Sequence, residues 1–146
     1  MLLQNKQLLT RELVIYMAKF ICNKIGRDKG LESFTSQGVK VEYKLLEGQE
    51  LQSALKDKLL EESQEVFEAS NIDDITEELA DVLEVINCLC KAYKIKIEEL
   101  KNIQKEKYNK RGGFERGLFI KTLEIDATNP IIEHFRKSPD KYPEIE

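Results

Sequence analysis

The chain has 146 residues, a length typical of one domain, and a formal net charge of −4. Hydrophobic residues make up 41% of it, which is enough for a core and excludes the class of disordered, apolar-poor proteins. The acidic balance argues against binding nucleic acid through its phosphates, and no apolar run approaches the roughly 18 residues that span a bilayer. We therefore expect a cytoplasmic protein with neither nucleic acid nor a membrane as its partner.

The first third of the chain is predicted to contain one helix and one short strand. Between residues 8 and 21, apolar residues recur at spacings of three and four, which predicts an amphipathic helix over about 6–25. Glycines are frequent over 26–48. Within that segment Val39, Val41, Tyr43 and Leu45 alternate with charged residues, which predicts a short β element over 39–46.

The middle of the chain is predicted to be helical, because no glycine or proline interrupts residues 49–111. The polar corner at 69–74 divides this stretch into two central helices, with Asn71, Asp73 or Asp74 as the candidate cap. A further helix begins near Ile97 and ends at Gly112, and the tail has a short helix near 131–136. These elements predict an all-α antiparallel helical bundle with one short β element.

Carboxylates occupy unusual positions on the two central helices. At about 100° per residue, Glu62 and Glu78 each project into the apolar stripe of their helix. Glu65 and Asp81 project to the edges of those stripes, and Glu61 projects outside. No lysine or arginine is expected at the same level of either stripe, so we expect the carboxylates to form an uncompensated acidic cluster.

Such a cluster predicts a divalent metal site, since a carboxylate on a core-facing stripe costs several kcal/mol unless a cation neutralises it. Mg²⁺ is the natural complement because it prefers carboxylate, water and phosphate oxygens, and Mn²⁺ is an alternative. The lone histidine, His134, lies outside these helices, so a di-iron carboxylate site is excluded. Ordinary solvated or ion-paired glutamates remain the alternative interpretation.

The spacing Glu61-Glu62-x-x-Glu65, followed by Glu78-x-x-Asp81, resembles the EExxE and ExxD motifs of the all-α nucleoside triphosphate pyrophosphohydrolases. The resemblance is strongest to MazG-like and phosphoribosyl-ATP-pyrophosphohydrolase-like proteins. It extends over roughly residues 19–120 and includes the sequence from Lys110 to Phe114. On this basis, residues 1–121 form a MazG-like domain and residues 122–146 form a C-terminal arm.

The resemblance implies a Mg²⁺-dependent enzyme that hydrolyses a nucleoside triphosphate to the monophosphate and pyrophosphate. It implies that the metal ligands are Glu62, Glu65, Glu78 and Asp81. It also implies that Glu61 is a catalytic residue, either as a further ligand or by orienting the attacking water.

Two features bear on substrate binding. Basic residues near the end of the last long helix are candidates for binding phosphate, and the best of them are Lys107, Lys110 and Arg111. The segment Cys22-Asn23-Lys24 departs from the relatives' pattern, because cysteine stands where arginine is expected and asparagine where aspartate is expected. A phosphate contact is therefore either lost or supplied by another part of the chain.

Alternative functions remain open from the sequence. One is a phosphoribosyl-ATP pyrophosphohydrolase of histidine biosynthesis, and another is a non-catalytic helical interaction module. With two long helices in so short a chain, we expect a homodimer or a higher homo-oligomer that covers the remaining apolar surface.

Overall fold

The computed structural model describes residues 18–145, which contain five helices and no strand. They are α1 (Asp28–Ser36), α2 (Gly48–Glu68), α3 (Ile72–Ala92), α4 (Ile97–Arg111) and α5 (Ile132–Arg136). The predicted all-α class is confirmed. None of the described helices combines the length and the apolar character needed to cross a membrane.

The centre of the fold is a hairpin of α2 and α3, each 21 residues or about 31 Å long. The two helices pack against each other along their length and run antiparallel. The side-chain amide of Gln52, near the start of α2, donates to the backbone oxygen of Ala92, at the end of α3, at 3.0 Å. Leu55, Val85 and Cys90 are the buried hydrophobic residues of the described chain, and all three lie in this hairpin.

Asn71 makes the sharp turn between α2 and α3 possible, as the polar corner predicted. Its backbone is extended, with φ −131° and ψ 164°, and its side-chain oxygen accepts hydrogen bonds from the backbone N–H groups of Asp73 and Asp74 at 3.0 Å. Those groups have no partner within the helix, so the cap stabilises the first turn of α3. The two acidic residues also complement the positive end of the helix dipole.

The helix that ends at the double glycine is also confirmed. Gly112 has φ +78°, and its N–H donates to the backbone oxygen of Tyr108 at 2.7 Å, which closes α4 with a left-handed residue. The chain divides into two compact units, residues 1–100 and 101–146. In the second unit, Phe135 of α5 packs edge-on to Tyr142, with ring centroids 5.0 Å apart, so the predicted tail helix belongs to a small aromatic cluster.

Two predictions for the N-terminal third are wrong where they can be compared with the structure. Most of the predicted helix over 6–25 lies outside the described residues, and its last part, residues 18–25, is not helical. Residues 39–46 form no strand, because no other described segment offers them a backbone ladder. Their apolar side chains, such as Tyr43 at 63% exposure, face solvent instead of a core.

Helix α1 was not predicted, since glycines on both sides and Gly30 within it favour a loop. Within its last turns, polar side chains add hydrogen bonds to the backbone. Thr35 donates to the oxygen of Leu31 at 3.0 Å, and Ser36 donates to that of Ser33 at 2.8 Å. The spacing of apolar residues does not reveal such local hydrogen bonds, so it did not predict this helix.

Replacement of the Asn71 cap should destabilise the hairpin measurably. We expect Asn71→Ala to lower the free energy of unfolding by about 1 kcal/mol, and Asn71→Gly to lower it by only a few tenths, because glycine tolerates the cap conformation. Urea denaturation followed by circular dichroism measures both. Ser70→Ala, at an exposed neighbouring position, is the control and should leave stability unchanged. Equal losses for all three variants would contradict the capping role.

Candidate functional site

Three carboxylates converge between α2 and α3. Glu62 comes from α2, and Glu78 and Asp81 lie one turn apart on the facing side of α3. One carboxylate oxygen from each residue lies within 4.8 Å of the other two. The structure therefore brings together three of the four residues predicted as metal ligands.

Glu62 is the buried charged residue of the described chain, with its side chain only 4% exposed. Its Oε1 accepts a hydrogen bond from the ammonium of Lys58 at 2.6 Å. Its Oε2 is buried without a hydrogen-bond partner among the described residues, and so is Oε2 of Glu78. Buried acceptors without partners cost free energy, and two of them in one acidic cluster fit the oxygen donors that a hard divalent cation requires.

Glu65, the fourth predicted ligand, lies next to this cluster at an exposed position of α2. The neighbouring carboxyl group of Glu62 is the main cause that raises the pKa of Glu65, and partial desolvation and the negative charge of Glu78 raise it further. Glu65 therefore borders the cluster and is not one of its three converging carboxylates.

Positively charged side chains partly neutralise the cluster, so the expectation of an uncompensated acidic site is wrong. Lys58 lies one helical turn before Glu62 and pairs with it. The guanidinium of Arg27, from the segment before α1, donates to Oδ1 of Asp81. The (i, i+4) spacing of Lys58 and Glu62 was readable from the sequence, whereas the contact of Arg27 with Asp81 depends on tertiary structure.

Glu61, predicted as the catalytic residue, is half-buried beside the cluster although it projects outside the apolar stripe. Its Oε1 lies 2.7 Å from the ammonium of Lys24 and 3.3 Å from that of Lys58. The hydrogen bond with Lys24 is the main cause that lowers the pKa of Glu61, and the pairing with Lys58 adds to it against the opposing effect of burial. Glu61 is thus held as an oriented, ionised acceptor.

Lys24 ends the segment Cys22-Asn23-Lys24, and the structure places it beside the carboxylates. Lys24 contacts Glu61, and Arg27, three residues later, contacts Asp81. Sequence reasoning missed both residues. Asn23, with φ +45°, adopts a left-handed conformation that asparagine tolerates better than most residues, immediately before Lys24.

The residues predicted to bind phosphate lie in the second compact unit. Lys107, Lys110 and Arg111 occupy the last turns of α4. Lys107 and Arg111 line a cavity of about 800 Å³ at the end of this helix, together with residues 112–115. Phosphate binding by these three residues stays a prediction.

Comparison with known proteins places the carboxylates in a recognised domain. Residues 50–113, just under half of the chain, match the family model of the MazG nucleotide pyrophosphohydrolase domain. Neither the curated proteins nor the solved structures gave a match. The matched segment begins in α2, contains all of α3 and ends just after α4, so it includes all five carboxylates described above. The resemblance inferred from the carboxylate spacing is confirmed for residues 50–113, which match the MazG domain model.

Proposed function

We propose that this protein is a Mg²⁺-dependent nucleotide pyrophosphohydrolase that converts a nucleoside triphosphate to the monophosphate and pyrophosphate. The observation that supports this most strongly is the convergence of Glu62, Glu78 and Asp81, with two buried unpartnered oxygens, inside the MazG-matched segment. A purely structural cluster would be expected to satisfy those oxygens with protein donors.

The residues that would hold the cation are Glu62, Glu78 and Asp81, with Glu65 beside them. A bound Mg²⁺ or Mn²⁺ would neutralise phosphate charge and lower the pKa of a bound water. For Asp81 to serve, one of its oxygens must be free of Arg27, and the guanidinium pairs only with Oδ1. Oδ2 would therefore be the ligand atom of Asp81.

We assign to Glu61 the role of orienting the attacking water. Its lowered pKa makes it a weak proton acceptor, because Lys24 and Lys58 stabilise its ionised form. The same contacts fix the position of its carboxylate. The hydrogen-bonding geometry therefore favours orientation of a water over removal of its proton.

Binding of the phosphates would use cations of this chain. Arg27 is 64% exposed beside Asp81, so most of its guanidinium donors are free for a phosphate. We retain Lys107, Lys110 and Arg111 as a further phosphate-binding group, supported by the cavity that two of them line. The net charge of −4 supports free cytoplasmic nucleotides over nucleic acid as the substrate.

We also propose that the hairpin pairs with a second copy of the chain, as a homodimer or within a higher homo-oligomer. Three buried hydrophobic residues among those described form a small core for two helices of this length. Large apolar side chains on the outside of the hairpin stay exposed, at 83% for Phe67 and 52% for Leu79. A second copy would supply the missing apolar cover.

We propose the same division of the chain into a domain and an arm that the sequence indicates. Residues 1–121 would form the catalytic domain and residues 122–146 a C-terminal arm. The carboxylates lie in the first of these segments, and the aromatic cluster of Phe135 and Tyr142 lies in the second. The aromatic cluster belongs to the second compact unit, whereas the carboxylates belong to the first, and this supports treating the arm as an accessory element.

Glutamine variants of the two partly unpartnered glutamates should differ in stability when metal is absent. Glu78→Gln should raise the melting temperature, because it removes a charge from an acidic cluster and no described cation pairs with Glu78. Glu62→Gln should lower the free energy of unfolding by about 2 kcal/mol, because Lys58 loses the closer of its two anionic partners. Adding Mg²⁺ should stabilise the wild type more than either variant.

Thermal unfolding with and without Mg²⁺ measures these differences, and Glu77→Gln, at an exposed position of α3, is the control that should change little. If Glu78→Gln destabilised the metal-free protein, Glu78 would be a structural hydrogen-bonding residue and not a metal ligand.

Release of pyrophosphate from a panel of nucleotides tests the activity itself. We expect Mg²⁺-dependent release from at least one nucleoside triphosphate and loss of at least a hundredfold in Glu78→Gln, while Glu77→Gln retains activity. The panel includes phosphoribosyl-ATP, which would distinguish the biosynthetic reaction. Absence of pyrophosphate release from every nucleotide, with Mg²⁺ and Mn²⁺ alike, would refute the proposed function.

Light scattering after size exclusion tests the proposed assembly. The wild type should have at least twice the mass of one chain, and a Phe67→Lys, Leu79→Lys variant should shift towards the monomer, because lysine is costly to bury in an apolar interface. Gln64→Lys, at an exposed polar position of α2, is the control and should keep the wild-type mass. A wild-type protein with the mass of one chain would exclude the dimer.

A further inference from the structure

Lys58 lies within the carboxylate cluster and not at its rim. Its side chain is 20% exposed, and its ammonium lies 2.6 Å from Oε1 of Glu62 and 3.3 Å from Oε1 of Glu61. One ammonium group thus bridges two adjacent carboxylates of α2.

The two oxygens of Glu62 have different environments because of this contact. Oε1 is taken by Lys58, whereas Oε2 is buried and has no partner among the described residues. Only one oxygen of this glutamate is therefore free for a metal ion. The ammonium also occupies the space between Glu61 and Glu62, where a second cation would otherwise find two carboxylates.

The balance of charge agrees with a single ion. Among residues 18–145, five carboxylates make up the cluster and its border, and three cationic side chains contact them. These cations are Lys24, Arg27 and Lys58. With every group ionised, two negative charges remain, which one divalent cation neutralises. A second divalent cation would leave the site positive until phosphates bind.

We propose that Lys58 is a positioning residue that fills a second cation position with its own ammonium, so that the nucleotide-free protein binds one divalent cation and not two. The inference rests on the proposed function, because it needs the divalent site at Glu62, Glu78 and Asp81. It adds that Lys58 sets the number of ions and fixes which oxygen Glu62 offers to the metal.

A titration of the full-length, nucleotide-free protein with Mn²⁺, followed by electron paramagnetic resonance of the free ion, counts the bound ions. We expect one Mn²⁺ per chain in the wild type and two in Lys58→Met, which removes the ammonium but keeps a side chain of similar length. The double variant Lys58→Met, Glu61→Gln should return to one, because the second position loses a carboxylate. Lys56→Met is the control, since Lys56 lies on the same helix over the ring of Tyr93 and should keep one ion.

Two bound ions in the wild type, or one in a folded Lys58→Met variant, would overturn this proposal and leave the proposed metal site intact. No bound Mn²⁺ in the wild type would refute the metal site and this inference together. If circular dichroism shows that Lys58→Met does not fold, Lys58→Gln replaces it, because glutamine removes the positive charge but keeps a polar side chain at this half-buried position. The same count then decides: two ions support the role of Lys58, and one ion excludes it.

Discussion

Repulsion between carboxylates that α2 and α3 hold together is the interaction on which this structure depends. Glu62, Glu78 and Asp81 offer oxygens within 4.8 Å of one another, and Glu62 is almost fully buried. Like charges at this distance in a partly desolvated setting destabilise the metal-free hairpin unless cations approach. Cationic side chains of the protein neutralise part of this negative charge. The negative charge that is left would attract a metal ion.

The compensating cations come from two different levels of structure. Lys58 is local, because it lies one turn from Glu62 on the same helix. Lys24 and Arg27 come from the segment before α1, outside the residues that match the MazG domain. The match to the family therefore includes the carboxylates but not Lys24 and Arg27, which partly neutralise their charge. Proteins with the same carboxylate motif and a different preceding segment would hold a cluster of different charge.

The sequence predicted the helical hairpin and its acidic centre because both depend on local periodicity. Glu62 and Glu78 interrupt regular apolar stripes, and Asn71 marks the corner between the helices. Tertiary contacts determine what the sequence did not predict. Residues 39–46 alternate like a strand but have no partner strand among the described residues. Arg27 lies far from Asp81 in sequence, so only the folded chain shows that they meet.

The tight turn at Asn71 has a consequence for how the protein folds. All the candidate ligands lie on two helices joined by that turn, so the cluster closes through a short loop, whose entropic cost is small. Contacts of low sequence separation form early, and the hairpin can assemble during synthesis before the C-terminal residues leave the ribosome. A divalent ion captured at that stage would stabilise the nascent hairpin, so that availability of metal would affect the yield of folded protein as well as its activity.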